Sequence, residues 1–147
     1  ASRRLEERGR FVARARLGVM VALWLSACGP SEDAPIIESL EFLQNSPFNP
    51  NELSFLLTFA DRDGDLFAGA TTLFIDDTRI SELSNLDLFR RQRPPVDLVA
   101  TRGTLEVVVE LEAPPEPDVE LRFAFEMSDA ANNASNRPQI TLRVVGP

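Results

Sequence analysis

Apolar side chains recur at every second position along much of this chain, and that period restricts what it can fold into. In Glu120 to Met127, the residues Leu121, Phe123, Phe125 and Met127 point one way, and Glu120, Arg122, Ala124 and Glu126 point the other. Leu105, Val107, Val109 and Leu111 repeat the pattern, as do Leu53, Phe55, Leu57 and Phe59, and then Ile140, Leu142 and Val144. A period of two lines one face of an extended strand, whereas a helix needs apolar residues three and four apart. Ile36 to Leu43 and Thr71 to Asp76 are expected to be strands with less regular alternation.

Turn chemistry separates these runs: Asn45 to Pro50, Ala113 to Asp118 and Asn132 to Asn136 are rich in Pro and Asn. Proline lacks the ladder donor, and Asx side chains satisfy local backbone groups, so both end strands. Ser81 to Arg93 stays open between one or two helical turns capped by Ser81 and an irregular crossing, because Leu83, Leu86 and Phe89 fall three apart. About seven strands in roughly 110 residues, with no long helix, predict an all-β fold: an antiparallel two-sheet sandwich of immunoglobulin-like type. With 44% apolar residues the chain can fill such a core, and with one Cys it does so without the inter-sheet disulfide of antibody domains.

The missing residue types exclude chemistry. The chain has no His and no Tyr, and all 15 of its basic residues are Arg. Ser-His-Asp and Cys-His catalysis, imidazole-held zinc, Schiff-base lysine and the P-loop lysine are therefore excluded.

The first 27 residues read as an address. Arg3, Arg4, Arg8, Arg10, Arg14 and Arg16 precede an uncharged apolar run, Leu17 to Leu25. A basic region before a short apolar one has the form of a secretory signal peptide, and the run falls short of the roughly 20 residues of a spanning helix. It ends in Leu25-Ser26-Ala27-Cys28, which resembles the lipobox of bacterial lipoproteins. That resemblance implies removal of residues 1–27 and covalent lipid on Cys28, whose paired acyl signals anchor a protein stably. It further implies the cell envelope, and Gly29 after the Cys favours the outer membrane. Residues 28–35 are expected to form a short tether, and 36–147 the sandwich.

The leader holds six of the arginines and two of the 23 acids, so the remainder carries nine basic and 21 acidic residues. Such a domain repels nucleic acid and attracts divalent cations. Its most suggestive segment is Asp61-Arg62-Asp63-Gly64-Asp65-Leu66, directly after a strong strand. Carboxylates at alternate positions around a glycine can converge on a hard cation such as calcium. The spacing is not that of an EF-hand, since the glycine falls at position 4 and Thr72 at position 12. The alternative is a solvated turn in which Asx side chains bond local amides.

The same segment resembles immunoglobulin-like and cadherin-like modules of bacterial surface lipoproteins, in which one strand ends in Asp-x-Asp-Gly-Asp-Leu and a later one in Asp-x-x-Gly-Asn-x-Ser. The second pattern matches Asp129 to Ser135, with Asn132 in place of the glycine; Asn tolerates the left-handed conformation. The two loops follow the second and sixth strands and should share one end of a sandwich. Asp61, Asp63, Asp65, Asp129 and Asn132, with Glu32 or Asp33 from the tether, form the candidate calcium site.

The function expected is that of a non-enzymatic, lipid-anchored envelope protein, an accessory or interaction module with an envelope protein partner. Its rival is a structural spacer within an envelope assembly. A carboxylate hydrolase is a third reading, weakened because acids on one loop offer no cleft between facing groups. The basic run Arg90, Arg91 and Arg93 reads as a solvated loop, and Trp24 lies in the leader, leaving only Phe for stacking.

Overall fold

In the computed structural model, residues 11–15, 33–45 and 51–144 are described. The elements are β1 (Phe11–Ala15), β2 (Ile36–Asn45), β3 (Glu52–Ala60), a 3-10 turn η1 (Leu66–Ala68), β4 (Ala70–Ile75), β5 (Thr78–Ser84), α1 (Asn85–Arg91), β6 (Arg102–Glu110), β7 (Glu120–Met127) and β8 (Gln139–Val144). From Ile36 onward, seven strands make two antiparallel sheets. One has the order β2-β3-β6, and the other β1-β8-β7-β4-β5. The chain crosses between sheets after β3, after β5 through α1, and after β6, so an all-β sandwich is formed as expected. β1 falls inside the segment read as a leader and pairs Phe11 with Val144 through Ala15 with Ile140. Residues 16–32, including the lipobox and Cys28, lie outside the described residues.

The period-two faces are the core. Leu53, Phe55, Leu57 and Phe59 of β3 are buried, as are Leu105, Val107 and Val109 of β6 and Phe123, Phe125 and Met127 of β7. Leu111 lies just past the end of β6 and is only partly buried. Phe55 spans the gap between sheets, with ring centroids 5.2 Å from Phe123 and 5.1 Å from Phe125, while Phe42 packs edge-on 5.5 Å away. Rings at these separations add electrostatic complementarity to the burial of a large apolar area. α1 closes the core by stacking Phe89 on Phe59 at 5.5 Å.

Two expectations need correction. The segment Ser81 to Arg93 does hold two helical turns, on a crossing between the sheets, but they start at Asn85, because Ser81 to Ser84 still belong to β5. The helix cap is Ser84, whose hydroxyl accepts from the Asp87 N–H. β5 shows no alternation because it is an edge strand, exposed at every position but Leu83. Its place is fixed by a two-residue turn in which Asp76 and Asp77 both take positive φ, 50° and 68°, the backbone of the tightest hairpins.

Side-chain amides cover the edges of the three-stranded sheet. Gln92 accepts from the Glu106 N–H at 2.9 Å and donates to the Glu106 carbonyl at 3.1 Å, standing in for a neighbouring strand beside β6. Asn136 does the same for Ile37 of β2, at 2.8 and 3.0 Å. Each carboxamide satisfies one donor and one acceptor that would otherwise invite another chain.

Candidate metal centre

β3 delivers Asp61 to the end of the sandwich, where its N–H donates to the Thr101 carbonyl at 2.7 Å. The chain then turns sharply. Gly64 takes φ +66° and donates to the Asp61 carbonyl, and a Cβ on Gly64 would lie 2.7 Å from the Val99 oxygen. Only glycine meets both conditions. The turn brings the Asp65 N–H onto Asp61 Oδ2 at 3.0 Å. Asp61 is 1% exposed, and its Oδ1 is buried without a hydrogen-bond partner, as is Asp65 Oδ1.

The third carboxylate comes from the other sheet. Asp129 follows β7 and is 3% exposed. Its Oδ1 accepts from the N–H groups of Ala131 and Asn133, at 3.0 and 2.8 Å, and its Oδ2 accepts from Asn133 Nδ2 at 3.1 Å. Asn132 takes φ 64° in this turn, the left-handed conformation anticipated where a glycine would be usual. Asp61, Asp65 and Asp129 each place an oxygen within 4.8 Å of the others, so the three can hold a metal ion. The two loops that the sequence assigned to one end of the sandwich do meet there.

The remaining predicted residues stand apart. Asp63 is exposed and lies outside this three-carboxylate group, and the side chain of Asn132 is exposed. Desolvation raises the Asp63 carboxyl above its ordinary range, and the charges of Asp33, Asp65 and Asp129 add to the effect. Asp33 is therefore the tether residue felt at the loop. Glu32 lies outside the described residues.

Asn85 is the residue that pattern reading missed. Fully buried at the start of α1, it donates through Nδ2 to the carbonyls of Leu66, at 2.8 Å, and Ser128, at 3.2 Å, and accepts from Thr71 Oγ1 at 2.6 Å. Leu66 follows Asp65 and Ser128 precedes Asp129, so one carboxamide ties together the two halves of the acidic cluster. Gly69 permits the same approach, since a Cβ there would sit 1.8 Å from the Ser128 oxygen. A lone Asn before an apolar run carries no sequence signal beyond a helix start. Replacing Asn85 with Ala should cost about 1–3 kcal/mol, the penalty for leaving buried partners unpaired; chemical denaturation would measure it.

The buried Asp61 and Asp129 and the half-buried Asp65 repel one another, and the electrostatics record it. Burial first, then the side-chain carboxyl of Asp65 through its hydrogen bonding and its charge, with a smaller contribution from Asp129, push the Asp61 pKa from 3.8 up to about 6, against the Asp65 N–H, which favours the charged form and lowers it. An ion pair would lower it, but among the described residues no Arg bridges this cluster. The arginines pair elsewhere, Arg102 with Glu38 at 2.9 Å and Arg137 with Glu126 at 3.2 Å.

No family model matches the chain, and no curated protein matches it. Among solved structures it is similar to the Clostridium perfringens spore cortex lytic enzyme SleM, at 15% identity and a TM-score of 0.46, over 75% of this chain and 28% of that one. The chain thus spans less than a third of the length of that protein, and a likeness this slight carries no functional argument.

Proposed function

We propose that this chain is a non-enzymatic β-sandwich module of the cell envelope, lipid-anchored through Cys28, whose anchored end is stiffened by calcium held between Asp61, Asp65 and Asp129. The observation that carries the metal reading is the pair of buried, unpartnered oxygens, Asp61 Oδ1 and Asp65 Oδ1, beside a third carboxylate from the opposite sheet. A plain solvated turn would leave such oxygens in water or bond them to local amides, as Asp129 does. Oxygen donors alone, with no nitrogen or sulfur, select a hard cation, and carboxylates brought together from two separate loops suit the adaptable coordination of calcium better than the strict octahedron of magnesium. The ion would add a strong link between the two sheets at the end where the tether enters. The anchor rests on the lipobox pattern. Cleavage after Ala27 would take β1 with it and leave β8 paired with β7 alone.

Calorimetric titration of the chelator-treated protein tests the metal. The expected result is one saturable calcium site, lost in Asp61→Ala and Asp65→Ala while both variants stay folded. A flat titration of the unaltered protein would reduce the loop to turn chemistry. For the anchor, radiolabelled fatty acid in a bacterial host should be incorporated by the unaltered chain and not by Cys28→Ser.

A further inference from the structure

We propose that β5 is a self-docking edge, through which two copies of this chain pair antiparallel about a two-fold axis at Ser81. The outer edge of β5 has no carboxamide clamp of the kind that Gln92 and Asn136 place on β6 and β2. Among the described residues, no hydrogen bond reaches the outward backbone groups of Thr78 to Ser84.

Which groups face outward follows from the hairpin. Ile75 and Thr78 flank a two-residue turn and so exchange both of their hydrogen bonds. Alternation then makes the next pair, Phe74 with Arg79, a pair without mutual hydrogen bonds, which turns the Arg79 N–H and C=O away from β4. Leu73 pairs with Ser81 across a bulge that leaves Ile80 as the extra residue, and Thr72 pairs with Glu82. Beyond the bulge the alternation turns the N–H and C=O of Glu82 outward as well.

The bulge has a second effect. In an unbroken strand, residues three apart point to opposite faces, but here Arg79 and Glu82 lie on one face and form an ion pair with each other. A two-fold axis through Ser81 sets Arg79 opposite Glu82 of the partner copy, and Glu82 opposite the partner's Arg79. Each such pair exchanges two backbone hydrogen bonds and places unlike charges across the junction, so the edge complements itself. Ile80, 51% exposed, lies beside the axis and gains cover. The self-complementary order of charge selects a second copy over an unrelated strand.

Sedimentation equilibrium of the full chain in reductant, up to about 1 mM because the contact is small, provides the test. The unaltered protein should dimerise, and Arg79→Glu and Glu82→Arg should each weaken self-association about tenfold or more by opposing like charges. Mixing these two variants should restore dimers, since both cross-strand pairs become complementary again. Glu82→Pro removes the outward N–H together with the exposed ion pair to Arg79, which contributes little to stability, so it should give a monomer with a nearly unchanged melting temperature. A monomeric unaltered protein across that range, dimers unaffected by all three substitutions, or a mixture that stays monomeric would overturn the proposal.

Discussion

In chelator, this protein should melt at a higher temperature at pH 5 than at pH 7.5, and calcium should reverse that order. The folded Asp61 carboxyl has its pKa raised from 3.8 to about 6, so between those values the folded state holds a proton that the unfolded chain releases. Stability from this group is therefore fully present below pH 3.8 and is lost as pH rises through 6. The full difference is on the order of 3 kcal/mol, of which roughly 1–2 kcal/mol is present at pH 5, a shift of about 5 °C for a domain of this size.

On the function proposed above, calcium would bind the ionised cluster and so add stability at the pH where the empty cluster is weakest. At a concentration one hundred times Kd the gain is about 2.7 kcal/mol, and protons compete with it below pH 6. Asp61→Asn should abolish both effects while keeping the side chain's shape. Thermal melts at two pH values, with and without metal, separate the contributions. A chelated protein with no pH dependence in this window would show that Asp61 is not held protonated in the fold.

Replacing Phe55 with Ala should cost about 3–5 kcal/mol, which is a large share of the 5–15 kcal/mol available to an ordinary domain. Phe55 is fully buried and touches aromatic rings on its own sheet and on the facing one, so its removal opens a cavity that neither rigid sheet can close. Phe55→Leu, which keeps most of the volume, should lose much less. Leu56→Ala is the control: one position along the same strand, it faces outward and is only partly buried. Denaturant midpoints at constant slope would rank the three. Equal losses for Phe55→Ala and Leu56→Ala would contradict the inward placement of Leu53, Phe55, Leu57 and Phe59.

The sheets were legible wherever a strand has one wet and one dry face. Leu53 to Phe59 and Leu105 to Val109 declare themselves because burial demands apolar side chains at alternate positions and water permits polar ones between. β5 was illegible for the converse reason. It buries almost nothing, so selection for a core left no period in Thr78 to Ser84, and its existence depends on backbone pairing with β4. The Ser84 cap is hidden in the sequence for the same reason, since the strand that leads into it carries no period of its own.

The candidate site divides in the same way. Asp61, Asp65 and Asp129 were identified from local spacing, and their convergence from the order of the strands, because a sandwich returns its second and sixth strands to the same end. Local spacing says nothing about which oxygens face inward. Asp63 looked equivalent to its neighbours and proves exposed, since the turn at Gly64 directs alternate side chains toward Asp129 or toward water. Asn85 was absent from the sequence reading because its partners, Leu66 and Ser128, lie 19 and 43 residues away. By itself the sequence determined the strand faces, the excluded chemistries and the acidic loops, all of which depend on residues a few positions apart. Tertiary structure alone decided which carboxylate oxygens are buried without partners, which side chains close the edges and which edge stays open, because each is a meeting of groups that the chain's order keeps far apart.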